Sequence, residues 1–367
     1  MNIRINLTVN ALALAIAFSG ITSPSDHIRA ANYVRTIATP DGGQPMAAKA
    51  DSQGTIHLLY HSADGPRYSR SIDNGKSFSV AIQVVDRPSR KPGLEFTVWD
   101  MAVAGNGRVH VALGTNAWSL KLPQEEWGFY YTQLGPSAQA FSPVQNINHK
   151  PSEGFSLAAD DNGRVTACWL SGKLYANLSR DHGTTFGPAV EIDPACNPCD
   201  CCTTSSVYGS DGKLAVLYRE ETGNERDMYL VRWDQVDNKT TRTRASTTLW
   251  KIDGCPMTYF SLSRNADGFV AAWPTKGQVY FARLDAQGDL QPPGEVKSSG
   301  TTGMRVGVLA LSDAKGTTLL AWKDLGQVRW QLYDRQGQPL GRPASAESAG
   351  NGVAGVLDKD GDFIIFR

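Results

Sequence analysis

Residues 157–169 read LAADDNGRVTACW. A short apolar stretch is followed by a polar turn of Asp, Asn and Gly, and then by a strongly apolar stretch that ends at a tryptophan. Two apolar stretches joined by Asn-Gly are typical of a β-hairpin, because Asn and Gly adopt the positive φ angles that a two-residue hairpin turn needs. The stretch therefore predicts two paired strands with Asn162 and Gly163 in the turn.

The same pattern occurs seven times along the chain. The other six copies begin at Met46, Met101, Val207, Leu262, Leu309 and Val353. Successive copies start about 44 to 56 residues apart, which is the length of a four-stranded β-propeller blade with its loops. We therefore expect an all-β fold, a β-propeller of seven blades. Six blades with irregular closure is the alternative.

The two ends of the chain predict how the ring closes. The last hairpin, residues 353–366, is followed by no outer strands, whereas the segment NYVRTIAT at residues 32–39 precedes the first hairpin and has no partner. We expect these N- and C-terminal strands to pair within one blade. Residues 32–367 would then form a single domain.

The first residues have the layout of a secretory signal peptide. Arg4 is the only early charge, and an apolar run from Leu7 to Ile21 follows it. The run is short for a membrane span and is interrupted by Asn10, so we expect residues 1–23 to be removed rather than kept as an anchor. No other stretch is long and apolar enough to span a bilayer. The prediction is a periplasmic or secreted protein with no membrane span after signal removal.

The charge balance limits the possible partners. The chain has 36 basic and 36 acidic residues, and zero net charge argues against nucleic acid or an anionic membrane as a partner. We expect a monomer whose partner is a metal ion or an exported protein.

Two segments carry a sharper motif. SRSIDNGKSF at residues 69–78 and LSRDHGTTF at residues 178–186 both fit Ser-x-Asp-x-Gly-x-x-Phe. The motif resembles the Asp-box, or bacterial neuraminidase repeat, of the sialidase-like propeller superfamily. The resemblance implies a turn between the third and fourth strands of a blade, in which the Asp accepts backbone hydrogen bonds and the aromatic residue fills the space between blades. Such boxes mark the fold and say nothing about catalysis.

The resemblance also implies a chemistry that can be tested on residues. Sialidases use a tyrosine nucleophile with a glutamate partner and three arginines that bind the substrate carboxylate. The family's first arginine lies in an Arg-Ile-Pro-type segment, whereas Arg35 here lies in YVRTIATP. The remaining candidates, none in a matching motif, are Arg219, Arg226 and Arg305, with Tyr218, Tyr259 or Tyr333 as nucleophile. We interpret YREETGNERDMY, residues 218–229, as a charged hairpin with a solvated ion pair, and we do not expect exo-sialidase activity.

Cysteine is concentrated in one segment, ACNPCDCCTT at residues 195–204, which holds four of the six cysteines. Its last two, Cys201 and Cys202, lead into the innermost strand of the fourth unit, and Cys255 lies at the equivalent point of the fifth. Loops that enter the innermost strands of a propeller gather around its axis at one face. We therefore expect Cys255 to share a site with the Cys199–Cys202 group.

The equivalent position in other units adds sulfur and polar groups. It holds Met46, Trp99 with Asp100, His149 with Glu153, and Met304 with Arg305. The chain is also similar to a subset of Asp-box proteins with a Cys-x-Cys-Cys segment and a downstream Cys-Pro-Met-like segment, at residues 199–202 and 255–257. That resemblance implies a shared site and names no reaction.

Three interpretations of the cysteines remain open, and they overlap. The first is disulfides: Cys196 or Cys199 with Cys255, or a vicinal bridge between Cys201 and Cys202, with Cys168 packed in the core. The second is a soft-metal site. Zinc fits poorly because the segment lacks two separated pairs of ligands, whereas thiolates and thioethers select Cu(I). The candidate ligands are Cys199, Cys201, Cys202, Cys255 and Met257, with Cys196, His149 and Met304 as further candidates. The third is thiol redox chemistry.

Together these features predict an exported sialidase-like propeller with a cysteine-rich site near its axis, which binds a soft metal such as Cu(I) or serves thiol redox. Two alternatives from other classes are a divergent exo-glycosidase acting on sialic acid or another acidic sugar, and a protein-interaction platform stapled by disulfides.

Overall fold

The computed structural model describes residues 34–85 and 92–367. The predicted signal peptide, residues 1–23, and the first two residues of the predicted domain lie outside this range. The described residues form 27 strands in seven sheets and two 3-10 helices, Pro40–Gly42 and Gln124–Glu126. No helix in these ranges is long and apolar enough to cross a membrane. The predicted all-β, seven-bladed propeller is confirmed, and the six-bladed alternative is wrong.

Six blades have four strands each. After β1 (Val34–Ile37), blade 1 contains β2 (Gln44–Ala50), β3 (Ile56–Ser62), β4 (Gly65–Ser71) and β5 (Ile82–Gln83). Blade 2 contains β6 (Phe96–Val103), β7 (Val109–Thr115), β8 (Tyr130–Leu134) and β9 (Gln145–Asn146). Blade 3 contains β10 (Glu153–Ala159), β11 (Val165–Leu170), β12 (Leu174–Ser179) and β13 (Val190–Glu191). Within each blade, consecutive strands are antiparallel neighbours.

The second half of the ring repeats this order. Blade 4 contains β14 (Ser205–Tyr208), β15 (Leu214–Arg219), β16 (Met228–Asp234) and β17 (Lys239–Arg244). Blade 5 contains β18 (Ser261–Arg264), β19 (Gly268–Thr275), β20 (Gln278–Asp285) and β21 (Val296–Thr301). Blade 6 contains β22 (Val308–Ser312), β23 (Thr318–Asp324), β24 (Gln327–Tyr333) and β25 (Pro339–Glu347). Blade 7 combines β26 (Ala354–Leu357) and β27 (Phe363–Phe366) with β1.

Each predicted hairpin forms the first two strands of a blade, but in six of the seven the turn is longer than two residues; in blade 5 the N–H of Asn265 donates to the carbonyl oxygen of Gly268, with two residues between them. In the hairpin of blade 3, the N–H of Asp160 donates to the carbonyl oxygen of Arg164 over 3.0 Å. The side chain of Asp160 also accepts from the N–H groups of Asn162 and Arg164. Only Gly163 takes a positive φ, of 84°. The aspartate side chain stabilises the longer turn, and this is why Asn162 does not need the positive φ that a two-residue turn requires.

The ring closes through pairing of the two chain ends, as predicted. β1 lies beside β27 and runs parallel to it, from Val34 opposite Phe363 to Ile37 opposite Phe366. The direction follows from topology, because the outermost strand of every other blade is also parallel to the second strand and delivers the chain to the next innermost strand. β1 takes this role without an intervening third strand. Residues 38–43 then lead directly into β2.

Both Ser-x-Asp-x-Gly-x-x-Phe segments form the same turn between the third and fourth strands of a blade. In blade 3, Ser179 Oγ donates to Asp181 Oδ1 over 2.7 Å, and Asp181 accepts from the N–H and hydroxyl groups of Thr185. Phe186 packs edge-to-face on Tyr131 of blade 2, with ring centroids 5.0 Å apart. The matching segment of blade 1 repeats these hydrogen bonds around Asp73. The turn therefore ties each of these blades to a neighbour.

Candidate cysteine site

The site is built on the entry face, defined as the face at which loops lead into the innermost strands. The two longest of these loops are residues 192–204, before β14, and residues 245–260, before β18. They are hydrogen-bonded to each other: the N–H of Thr203 donates to the carbonyl of Thr258 over 3.2 Å, and the N–H of Phe260 donates to Thr203 Oγ1 over 3.1 Å. Consecutive blades thus bring the two cysteine-bearing loops into contact, as the repeat positions predict.

A disulfide joins the two loops between Cys201 and Cys255, whose Cα atoms are 6.2 Å apart. The predicted bridges from Cys255 to Cys196 or Cys199, and the vicinal bridge between Cys201 and Cys202, are therefore wrong. Neighbouring side chains on the loop point in different directions, and this decides the pairing. Cys202 is turned inward, 1% exposed, with its Sγ 3.3 Å from Thr258 Oγ1, whereas Cys201 is only partly buried and faces Cys255.

Three sulfur atoms form a compact group, called here the thiol group: Cys199, Cys201 and Cys202. Cys199 Sγ lies 3.5 Å from Cys201 Sγ and 3.6 Å from Cys202 Sγ, and all three sulfurs lie within 4.8 Å of one another. Three sulfurs bound about 2.3 Å from one ion in a plane would be about 4.0 Å apart. The separations therefore suit a shared ion once Cys201 is a free thiol.

The two free thiols of the group share a hydrogen bond, and their surroundings polarise it. The hydrogen bond with Cys202 and burial raise the pKa of Cys199. The hydrogen bond with Cys199, together with the charge of Arg219 and the hydroxyl of Thr258, lowers the pKa of Cys202 in spite of burial. Positive charge beside a cysteine favours the thiolate. Cys202 is therefore the thiol of this pair whose surroundings favour the thiolate.

Arg219, at the end of β15, lies fully buried beside the thiol group. It is 0% exposed, and its Nη1 and Nη2 donate to the carbonyl oxygens of Arg226 and Pro274 over 3.0 and 2.5 Å. Its guanidinium also packs over the rings of Trp250 and Phe260, at 4.8 and 5.3 Å from their centroids. The interpretation of residues 218–229 as a solvated charged hairpin is therefore wrong, because the long loops of the entry face cover this end of blade 4.

A second buried arginine supports the loop of Cys255. Arg226 is 3% exposed; its Nη2 donates to the carbonyl oxygen of Gly254 over 3.0 Å, and its Nη1 forms an ion pair with Glu221 at 2.7 Å. Three buried N–H groups in this region, Arg219 Nε, Arg226 Nε and Trp273 Nε1, have no hydrogen-bond partner within the described part of the chain. Trp273 packs in the same core cluster as Cys199 and Cys202. The surroundings of the thiol group are therefore rich in donors.

The other predicted ligands lie in different surroundings. Cys196 is buried in a separate cluster with Tyr218, between blades 3 and 4. His149 and Met304 are exposed on their loops, Met304 to 65%. Met257 is half-buried, and its Sδ accepts from Arg305 Nε over 3.0 Å. Cys168 packs in the core within β11, as expected.

A buried polar network that the sequence did not indicate lies beside Cys196. Tyr218 Oη donates to Glu220 Oε2 over 2.9 Å, and Arg242 Nη2 forms an ion pair with the same oxygen at 2.7 Å. Glu220 also accepts from the N–H of Asn197, so the network fixes the start of the cysteine loop. Tyr218 is 0% exposed, so a substrate cannot contact it. Burial also raises the pKa of its hydroxyl group. The sequence did not single out Arg242, because this residue lies in a polar outer strand.

Comparison with known proteins supports the fold only. No protein-family model and no curated protein matches the chain. Among solved structures, the Dos1 propeller is 11% identical with a TM-score of 0.54, covering 90% of this chain and 81% of that chain. An ulvan lyase, of a new polysaccharide lyase family, is 11% identical with a TM-score of 0.54, covering 87% and 89%. A protein of unknown function from Dyadobacter fermentans is 12% identical with a TM-score of 0.52, covering 86% and 98%.

These structures share the propeller architecture with this chain, and one of them is a polysaccharide lyase. The comparisons thus support the predicted propeller fold, and the resemblance to sialidase-like proteins stays a prediction. Membership of the Asp-box proteins, or of the subset with a Cys-x-Cys-Cys segment, stays a prediction.

Proposed function

We propose that the protein is exported and binds Cu(I) through the thiol group on the entry face of the propeller. The observation that carries this proposal is the convergence of the Cys199, Cys201 and Cys202 sulfurs within 4.8 Å of one another. Thiolates are soft ligands and select soft ions such as Cu(I). The reduced site is the binding form, since a sulfur in a disulfide cannot act as a thiolate ligand.

The number of ligands favours Cu(I) over zinc. Structural zinc sites are almost always four-coordinate and tetrahedral. Among the histidine, cysteine, aspartate and glutamate residues of the described ranges, only the three cysteines of the thiol group converge on one point. The three sulfurs of the thiol group are by themselves one ligand short of a structural zinc site. The nearest sulfur outside the thiol group is that of Cys255, the disulfide partner of Cys201. Met257 lies two residues beyond Cys255 in the sequence.

The buried charge at the site also supports an anionic complex. Three thiolates around one Cu(I) ion carry a net charge of −2, and such a charge is costly to bury unless it is paired. Arg219 supplies a buried positive charge beside Cys202. The unpartnered Nε of Arg219 and Nε1 of Trp273 are further donors in the same region. These groups would stabilise the loaded site more than the empty one.

Export agrees with the cysteine chemistry. Disulfides persist in oxidising compartments and are rare in the cytosol. A bridge between Cys201 and Cys255, on the partly exposed rim of the site, is the arrangement expected of a protein that folds outside the cytoplasm. The signal peptide proposed for residues 1–23 would direct the chain out of the cytoplasm.

The test is a Cu(I) titration of the reduced protein under anaerobic conditions, against a chromophoric Cu(I) chelator. We expect one tightly bound ion per chain in the wild type. The Cys199→Ser and Cys202→Ser variants should each lose stoichiometric binding, because a hydroxyl substitutes poorly for a thiolate. The matched control is Cys168→Ala, which removes a buried cysteine of blade 3 and should bind like the wild type. Unchanged binding in the Cys199→Ser/Cys202→Ser double variant would exclude the site.

A further inference from the structure

Cys201 belongs to two arrangements that exclude each other. Its sulfur is bonded to Cys255, and it is also a member of the thiol group, 3.5 Å from Cys199 Sγ. A sulfur atom in a disulfide has no thiolate charge to offer a metal ion. The same atom can therefore close the bridge or bind Cu(I), but not both.

We propose that the Cys201–Cys255 disulfide controls the metal site, so that Cu(I) binds tightly only after this bridge has been reduced. The inference rests on the function proposed above and adds its regulation. The bridge acts as a thiol redox switch, so the disulfide and the metal site are two states of the same cysteines.

The reduction step is ordinary thiol–disulfide exchange with an external dithiol. A thiolate of the dithiol attacks one sulfur of the bridge, and the other sulfur leaves as a thiolate. The second thiol of the reductant then resolves the mixed disulfide. The protein gains two thiols, Cys201 and Cys255, and the reductant becomes a disulfide. Binding of Cu(I) to the thiol group afterwards releases the protons that the thiols still carry.

Exposure fits this order of events. Cys201 and Cys255 are partly exposed, whereas Cys199 and Cys202 are each 1% exposed. A reductant can therefore contact the bridge from the solvent while the two inner thiols stay covered. The sulfur that must be freed is the one that the solvent reaches.

The loops keep their positions without the bridge. The N–H of Cys199 donates to the carbonyl of Arg219 over 2.8 Å, and the N–H of Cys202 donates to the carbonyl of Cys199 over 3.0 Å. The Cys255 loop is held separately, by Arg226 on Gly254 and by Thr203 on Thr258. Reduction therefore leaves the three sulfurs of the thiol group close together, ready for an ion.

The oxidised site is a poor ligand set. Only Cys199 and Cys202 remain as free thiols of the group, with sulfurs 3.6 Å apart. Two sulfurs about 2.3 Å from an ion on opposite sides would be about 4.6 Å apart. The buried pair is too close for that arrangement and lacks a third sulfur. We therefore expect weak binding while the bridge is intact.

The test compares Cu(I) affinity before and after reduction in three proteins: the wild type, Cys255→Ser and the control Cys168→Ala. Reductant is removed anaerobically, and a count of free thiols in denatured samples confirms each state; the oxidised wild type should show four and the reduced wild type six. In the wild type and in Cys168→Ala, reduction should tighten Cu(I) binding at least tenfold. In Cys255→Ser, Cys201 is never bridged to Cys255, so the ratio should be close to one.

The outcomes separate this inference from the proposed function. Equal affinity in the oxidised and reduced wild type would overturn the switch and leave the copper site standing. Failure of every reduced protein to bind Cu(I) would overturn the copper site and the switch together. A tenfold ratio that persists in Cys255→Ser would also overturn the switch, because it would place the redox dependence elsewhere.

A measurement on the wild type alone avoids any folding defect of the variant. Coupling between two equilibria is reciprocal, so Cu(I) must make the bridge easier to reduce if reduction makes Cu(I) bind more tightly. A tenfold effect on affinity appears as a shift of about 30 mV toward more positive potential in this two-electron couple. A potential that does not change with Cu(I) would contradict the proposal.

Discussion

Cys199 and Arg219 are joined through the backbone, since the N–H of Cys199 donates to the carbonyl oxygen of Arg219 over 2.8 Å. The strand end that carries the buried guanidinium therefore also positions the first thiol of the group. Most substitutions of Arg219 would change both the charge and the shape of the site. Arg219→Met keeps a long unbranched side chain and the backbone contact, and removes the charge.

We expect Arg219→Met to weaken Cu(I) binding by the reduced protein, because the loaded site loses its buried counter-charge. It should also raise the pKa of Cys202, since Arg219 lowers it in the wild type. The carbonyls of Arg226 and Pro274 lose their donors, at a cost of about 1–3 kcal/mol each. Affinity, and thiolate absorbance near 240 nm as a function of pH, are the measurements.

The control for this variant is Arg232→Met. Arg232 lies in the same blade, is 4% exposed, packs over Phe269 and is paired with Asp211. It should cost comparable stability and leave Cu(I) affinity unchanged. Equal loss of affinity in both variants would show that general destabilisation, and not the charge of Arg219, is responsible.

The disulfide should contribute to the stability of the propeller. The bridge closes a loop of 54 residues, and a disulfide closing a loop of that length typically stabilises a protein by about 2–4 kcal/mol. Denaturation of the wild type should therefore shift to lower urea concentration on adding a reductant, and Cys255→Ser should show the lower value with or without it. A wild-type midpoint that is insensitive to reductant would contradict this expectation.

Acid should destabilise the protein through buried histidines. His110 of β7 lies 2.7 Å from Tyr131 Oη, and burial lowers its pKa to about 3. The unfolded chain, with a histidine pKa near 6.5, then binds the proton that the folded chain excludes, so stability is lost as pH falls from about 6.5 toward 3. The slope is at most about 1.4 kcal/mol per pH unit.

His110→Gln isolates this effect, since Gln retains a hydrogen-bonding side chain but does not titrate. The free energy of unfolding measured between pH 7 and pH 4 should fall less steeply in the variant than in the wild type. His57 makes the same contact with Tyr68 one blade earlier, and burial also lowers its pKa. It serves as a second test position. Parallel curves for the wild type and both variants would refute the assignment.

Activity against a fluorogenic sialoside should be absent. The tyrosine with a glutamate partner, Tyr218 with Glu220, is fully buried within blade 4, and Arg35 is engaged by Asp358 at 2.6 Å. Turnover that disappears on replacing Tyr259, which is half-buried on the entry face, would restore the glycosidase alternative. Heat-inactivated protein and the Tyr259→Phe variant are the controls.

Local chemistry explains why the blades could be predicted. Each repeat joins a polar turn to an apolar stretch, and seven such hairpins at blade-length spacing require a ring. The loss of the third strand from blade 7 could not be predicted, because it depends on the direction in which β1 enters the ring. The turn of blade 3 was mistaken for a two-residue turn since the role of Asp160 depends on where its side chain points.

The candidate site was predictable in part. Repeat positions place Cys255 beside the Cys199–Cys202 group, but the choice of Cys201 over Cys202 as its partner depends on side-chain directions in an irregular loop. The burial of Arg219 could not be predicted from its neighbours, since YREETGNERDMY has the polarity of an exposed hairpin. Coverage by loops from two blades is a tertiary property that no local pattern contains.

The pairing of β1 with β27 has a consequence for folding. Val34 and Phe363 face each other although more than 300 residues separate them, and contacts of such long range form slowly because loop closure must come first. Each hairpin can form as soon as its own residues are available, but a chain with six finished blades still has unpaired strands at both open ends. Exposed strand edges invite pairing with other chains. Closure of blade 7 is therefore the step at which newly made protein is most exposed to aggregation, and mutations in β1 or β27 should lower yield before they alter the cysteine site.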